Sequence, residues 1–232
     1  MITVTTITTT INLVSTEGSS QERTYLREPA AIYARSFALI DAELDLTAVP
    51  KALQPVVRRV VHSCGMTDIL AELRWRGPVA EDAQAALTGG APVIVDASMV
   101  SAGVQANRLP AQNRILCLID EAETAQLAKA RETTRSAAAI ERLADEMGGA
   151  VVVIGNAPTA LFRLLELLKD GAPPPSALFA FPVGFVGAAE SKQALVDAPS
   201  PPNYLTLLGR RGGSAMAAAA VNALLPDLGS PR

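Results

Sequence analysis

Five short apolar runs, each closed by a turn and followed by a helical pattern, leave this chain very few folds. They are Val93–Asp96, Arg114–Asp120, Ala150–Ile154, Ala177–Val183 and Tyr204–Leu208. Apolar runs without polar alternation belong to strands covered on both faces, as in parallel sheets. Helical stretches separate or follow them: Ala122–Ala130, Ala160–Lys169, Ala188–Val196 and Ala215–Leu225. Another begins after Thr134 and places Ala137, Ile140, Leu143, Ala144 and Met147 on one face. This alternation predicts one α/β domain with a mostly parallel, doubly wound sheet and helices on both faces. Two helices precede the sheet, Pro29–Ile40 and about Pro50–Ser63. In the first, Ile32, Phe37, Leu39 and Ile40 recur at roughly helical spacing. Residues 1–23 are rich in Thr and Ser and read as a flexible N-terminal extension, with a short β-prone stretch at Ile2–Val14. They leave 24–232 as the domain.

The apolar share of 49% is enough for a sizeable core, while aromatic residues reach only 4%. Such a core consists of Ala, Val, Leu and Ile, and it favours close helix-on-sheet packing. Few aromatics and a net charge of −3 argue against a nucleic-acid surface, which needs stacking platforms and a basic footprint. No apolar run is long enough for a transmembrane helix, so no membrane partner is expected. The two cysteines, Cys64 and Cys117, lack metal-site or redox spacing. A reducing cytoplasm is the simplest setting.

Within that frame the one histidine, His62, stands out, in the run His62-Ser63-Cys64-Gly65-Met66 at the end of a helical stretch. Imidazole is the side chain suited to proton transfer near neutrality, so His62 is the default candidate; a cap or packed residue is the structural alternative. Three turns between strand and helix are rich in glycine: Gly155-Asn-Ala-Pro-Thr159, Gly184-Phe-Val-Gly187 and Gly209-Arg-Arg-Gly-Gly-Ser214. Glycine permits close ligand approach, and helix N-termini offer N–H donors to anions. With Arg135, Arg210 and Arg211 these turns describe a site for several carboxylates or phosphates. No phosphate-loop or dinucleotide fingerprint occurs among them. Asp96 and Asp120 read as turn caps, with acid–base or metal roles as the alternative. Met99 reads as packing, with contact to a flat ligand as the alternative. Ser214 lacks the surroundings of a nucleophile elbow.

Six segments in order carry a family resemblance: Pro29-Ala-Ala-Ile-Tyr with Arg35-Ser-Phe37; His62–Met66; Thr134-Arg-Ser-Ala-Ala138; Gly155–Ala160; Phe181–Lys192; and Gly209–Met216. From about Tyr25 to Leu225 the chain resembles precorrin-8X methylmutase of cobalamin biosynthesis. The resemblance implies a Rossmann-like domain that moves a methyl group from C-11 to C-12 of a tetrapyrrole, converting precorrin-8X to hydrogenobyrinate. It implies no cofactor and no metal, and a homodimer with sites near the subunit interface. His62 matches the family's proton donor and acceptor, and Ser36 a substrate-contacting position. Arg135 would hold a carboxylate or orient the ring. Asn156, Thr159, Gly187, Arg210, Arg211 and Ser214 are further pocket candidates, chosen on turn geometry. A non-catalytic corrinoid carrier is the alternative reading, and a nucleotide- or sugar-phosphate enzyme is the reading without the resemblance. Metal-free and cobalt-containing substrates stay open.

Overall fold

A computed structural model describes residues 25–226; the extension over 1–23 and its β-prone stretch lie outside the described residues. The strands are β1 (Leu73–Arg76), β2 (Val93–Val95), β3 (Ile115–Leu116), β4 (Val151–Ile154), β5 (Ala177–Ala180) and β6 (Tyr204–Leu207). They form one sheet in the order β1-β6-β5-β4-β2-β3. All pairings are parallel except β1 with β6.

The helices are α1 (Pro29–Glu43), α2 (Gln54–Cys64), α3 (Val79–Thr88), α4 (Ser98–Gly103), α5 (Ala122–Ala130), α6 (Arg135–Arg142), α7 (Pro158–Lys169), α8 (Ala188–Asp197) and α9 (Ser214–Asn222). Alternate residues of the strands feed two cores. Val93, Val95, Val151, Val153, Phe179, Leu205 and Leu207 meet α2, α3, α4 and α9 on one face. Ile94, Val152, Ile154, Leu178 and Ala180 meet α6, α7 and α8 on the other. This is the expected doubly wound sheet, and it explains why the central strands read as unbroken apolar runs.

Several boundaries differ from expectation. The run Arg114–Asp120 supplies only the two-residue β3 at the sheet edge, where residues 117–119 have no further neighbour strand. The helix expected through Met147 stops at Arg142 and tightens into a 3-10 turn, Ala144–Glu146. Strand β1 and helix α3 went unread. Leu73-Arg-Trp-Arg76 is short and doubly charged, as suits an edge strand. Helix α3 had a legible signal, since Val79, Ala80, Ala83 and Leu87 are its buried residues. Helix α1 packs mainly on α2 and buries only Ile40. Ile32 and Leu39, apolar and at helical spacing, remain 46% and 47% exposed. Met99 is 75% exposed, so the packing reading fails; α4 turns its neighbour Val100 into the core instead.

The strand order reverses between β2 and β4: the chain leaves β2 for β3 on one side, then returns to its other side. In open α/β sheets the crevice at such a switch point, beyond the carboxyl ends of the strands, is where ligands bind. Small residues make the packing there tight. A Cβ on Gly155 would lie 2.7 Å from Val100 Cγ2, 2.8 Å from Ala217 Cβ and 2.9 Å from Ser214 Cα. Gly155 is therefore a packing glycine, which lets α9 and α4 close over the β4–α7 turn. We expect Gly155→Ala to lower stability by about 1–3 kcal/mol in denaturant titration, the usual range for overpacking; an unchanged midpoint would contradict this.

Candidate active site

His62 occupies the last turn of α2 and is exposed. Helix α1, crossing α2, brings Ser36 to it: Ser36 Oγ and His62 Nδ1 are 2.9 Å apart. Phe37, the next residue, stacks on the imidazole with ring centroids 5.0 Å apart, and Tyr33 stands 6.0 Å away. Arg59 covers both aromatic rings at 5.3 and 5.6 Å. The ring is thus fixed in plane and held at one nitrogen. Its Nε2 makes no hydrogen bond among the described residues. A hydroxyl suits either tautomer, donating to Nδ1 or accepting from it. Whichever form is present, Nε2 is the nitrogen left to exchange a proton with a ligand.

The glycine turns lie along the carboxyl edge of the sheet and are tied to one another. Asp96, which follows β2 and is fully buried, accepts from the N–H groups of Gly155 (2.9 Å), Asn156 (3.0 Å) and Ala157 (2.7 Å). Burial pushes its carboxyl up, and the three N–H donors pull it the other way. These donors are therefore already used, and Pro158 has none to give. The first glycine turn does not offer the free backbone N–H cradle expected of it; what faces outward is the side chain of Asn156. Asp96 is a cap, as its position after a strand suggested. Asp120 accepts from Ser98 Oγ at 2.7 Å, a side-chain contact that ties it to α4 and not the turn cap expected of it.

From this turn the contacts run in both directions. Thr159 Oγ1 lies 2.7 Å from Thr134 Oγ1, and Thr134 caps α6, whose first residue is the exposed Arg135. Arg135 makes no ion pair among the described residues. Toward β5, Val183 N donates to Asn156 O at 3.3 Å and Gly184 N to Arg210 O at 3.2 Å. Gly187 caps α8, against Pro158. Arg210 lies over Phe185, 5.3 Å from its centroid. Arg211 pairs with Asp68 at 2.6 Å, in the turn shortly after His62. Ser214 opens α9 with its backbone against Gly155. Arg135, Asn156, Thr159, Gly187, Arg210, Arg211 and Ser214 lie along this edge, and Ser36 and His62 sit on α1 and α2. Ser36 and His62 form the one directly bonded pair; the others join through loops.

A cleft of about 310 Å³ lies beside Arg210, Arg211, Gly212, Phe185, Val183 and Met66. A larger one, about 690 Å³, sits among Phe162, Leu165, Leu168, Ala194 and Pro201, at the far ends of α7 and α8, and contains none of the candidates. Neither cleft is lined by His62 or Ser36. A third, about 330 Å³, is lined by Tyr33, Phe37 and Arg59, the side chains around the imidazole, and Met66, four residues after His62, borders the cationic cleft.

Lys192 and Asp68 were missed. Lys192 is fully buried in α8, and its Nζ donates to Pro182 O (3.0 Å) and Arg211 O (2.7 Å). Burial lowers its pKa to about 8. The signal was present, because Ala188, Ser191, Lys192 and Leu195 share the buried side of one helix.

The model of the precorrin-8X methylmutase family matches residues 31–226. The chain belongs to that family. It is 51% identical to a precorrin-8X methylmutase of Pseudomonas aeruginosa over 203 residues, covering 88% of this chain and 98% of the relative. It is 32% identical to a cobalt-precorrin-8 methylmutase of Priestia megaterium over 198 residues, 85% and 87% of the two chains. The solved structure of a precorrin-8X methylmutase from Thermus thermophilus superposes with a TM-score of 0.75 at 34% identity, covering 84% and 94% of the two chains. The family match spans α1 to the end of α9, so it includes every candidate described above.

The Asp96 cap has a direct test. Asp96→Asn leaves one acceptor oxygen for three donors, so buried N–H groups lose their partner at about 1–3 kcal/mol each. We expect a stability loss of about 2 kcal/mol or more in denaturant titration and increased amide exchange at residues 155–157. Unchanged exchange there would remove Asp96 from this role.

Proposed function

We propose that this chain carries out the methyl migration of its family with His62 as proton donor and acceptor. The reaction is an isomerisation within cobalamin biosynthesis: a methyl group leaves C-11 of the tetrapyrrole and bonds to C-12. The observation that carries the His62 assignment is its held ring, bonded at Nδ1 by Ser36 and unbonded at Nε2. A proton delivered to the conjugated macrocycle changes its tautomer and eases the migration. The same nitrogen takes a proton back, so none is consumed. This is general acid–base catalysis by a positioned group, and the rest of the acceleration comes from orientation in a fitted pocket.

The other candidates take supporting roles in this reading. Arg135 and Arg210 are the exposed cations on the edge and suit the substrate's acetate and propionate groups. Arg211 is engaged by Asp68, so its role is to hold the loop as much as to meet a carboxylate. Asn156, Thr159 and Ser214 provide hydrogen-bonding side chains, and Gly187 leaves room at the α8 N-terminus. Phe185 and Val186, 82% and 89% exposed, offer apolar contact to the ring. The higher identity to precorrin-8X methylmutases, 51% and 47%, than to cobalt-precorrin-8 methylmutases, 32% and 35%, supports precorrin-8X over its cobalt complex as the substrate. Unpaired Cys64 and Cys117 suit a cytoplasmic location, and no helix among the described residues is long and apolar enough to cross a membrane.

The substrate choice and the His62 role share one assay. Wild-type protein should convert precorrin-8X to the orange product faster than the cobalt complex. His62→Ala should reduce that turnover at least about 100-fold while still binding hydrogenobyrinate. Undiminished turnover in the variant would end the catalytic assignment.

A homodimer is the quaternary reading we favour. Ile32, Tyr33 and Leu39 on α1 are 46%, 45% and 47% exposed, beside the Ser36–His62 pair. Apolar side chains left exposed together on one helix suit a subunit interface. A second copy here would also wall the site that one chain leaves open. Ile32→Asp with Leu39→Asp should give monomers in sedimentation velocity and lose turnover; a dimer that persists in the double variant would place the interface elsewhere.

A further inference from the structure

Lys192 has no part in the proton transfer, yet its placement is costly. It is a fully buried ammonium and makes no ion pair among the described residues. Burying a cation without a counter-charge is among the most unfavourable arrangements in a protein. Its partners are two main-chain carbonyls, Pro182 O in the β5–α8 loop and Arg211 O in the β6–α9 loop. Those loops are already joined without it. Gly213 N donates to Phe181 O at 2.8 Å and Gly184 N to Arg210 O at 3.2 Å. At Gly212 the backbones approach so closely that a Cβ would lie 2.3 Å from Phe181 O. A neutral side chain would suffice as a spacer, so the charge requires its own explanation.

The peptide plane supplies one. A trans peptide directs its C=O and N–H in opposite directions. Drawing the Arg211 carbonyl onto Nζ therefore turns the Gly212 N–H away from Lys192. That N–H makes no hydrogen bond among the described residues, and Gly212 lines the cleft with Arg210 and Arg211. We propose that Lys192 is a positioning residue for substrate carboxylates: it orients the Arg211–Gly212 peptide so that its N–H meets an anion, and its own unneutralised charge reinforces that site from beneath. The counter-ion missing from the protein is then the substrate itself. Burial lowers the lysine pKa to about 8 and leaves it charged at neutral pH, as this role requires.

The inference rests on the tetrapyrrole reading, and the test separates the two. Hydrogenobyrinate and its fully esterified form, which keeps the ring but carries no carboxylates, are titrated against wild-type protein, Lys192→Met and Lys192→Arg. Lys192→Met should lose about tenfold or more in affinity for hydrogenobyrinate, the size of one charge-assisted contact, with affinity for the ester unchanged. Lys192→Arg should recover much of the loss, and in turnover the effect should appear in KM with kcat nearly constant. Equal losses for acid and ester, or no loss for either, would overturn the inference while leaving the family reaction intact. Wild-type protein that binds neither compound would overturn the tetrapyrrole reading, and this inference with it. If Lys192→Met does not fold, Lys192→Gln, neutral and one bond shorter than lysine, takes its place and must show the same acid-selective loss.

Discussion

A single buried carboxylate organises the carboxyl edge of the sheet. Asp96 stands at the end of β2 and reaches across the point where the strand order reverses, satisfying three successive N–H groups at the end of β4. Those groups face the sheet interior, where water cannot serve them, and a carboxylate is the one side chain with enough acceptor sites for all three. The turn it shapes presents Asn156 O to Val183, whose loop in turn carries Gly184 to the Arg210 carbonyl. Each loop along the edge is therefore set by the one before it. The arrangement starts from a group wholly buried beneath it.

Alanine-rich packing is what allows this order to hold. Helix α9 meets α2, α4 and the sheet through Ala217, Ala218 and Ala220, side chains with no rotamers to adjust. Gly103 and Gly155 complete the fit, each too close to a neighbour to accept even a methyl group. Such an interface has little slack, since interiors at crystal-like density transmit displacement instead of absorbing it. A core of larger, more pliable side chains would bury as much apolar surface without fixing the loops so firmly.

The parallel strands were legible because burial on both faces removes the polar alternation that otherwise blurs strand and loop. Strand β1 was not, since four residues with two arginines carry almost no periodic signal. Most candidate residues belong to strand-to-helix turns or the first turn of the helix that follows, while Ser36 and His62 lie within helices and are joined by a contact across 26 residues. What the sequence could not reveal was which donors the protein uses itself. Gly155-Asn-Ala-Pro-Thr159 reads as an open anion cradle until Asp96, almost sixty positions earlier, is seen to fill it. Likewise Arg211 reads as a free cation until Asp68 is found against it. Both are long-range pairings, and spacing within one segment holds no record of them. Lys192 differs, because its helical phase alone marks it as buried.

Helix α1 carries a consequence of its own. It contributes Ser36 and Phe37 to the imidazole but sinks only Ile40 into the core. Segments with so few buried contacts detach locally at a fraction of the free energy of global unfolding. The orientation of the one histidine therefore depends on a helix with little hold on the core. Detachment of α1 would free the imidazole from Ser36 and Phe37 while leaving both faces of the sheet covered.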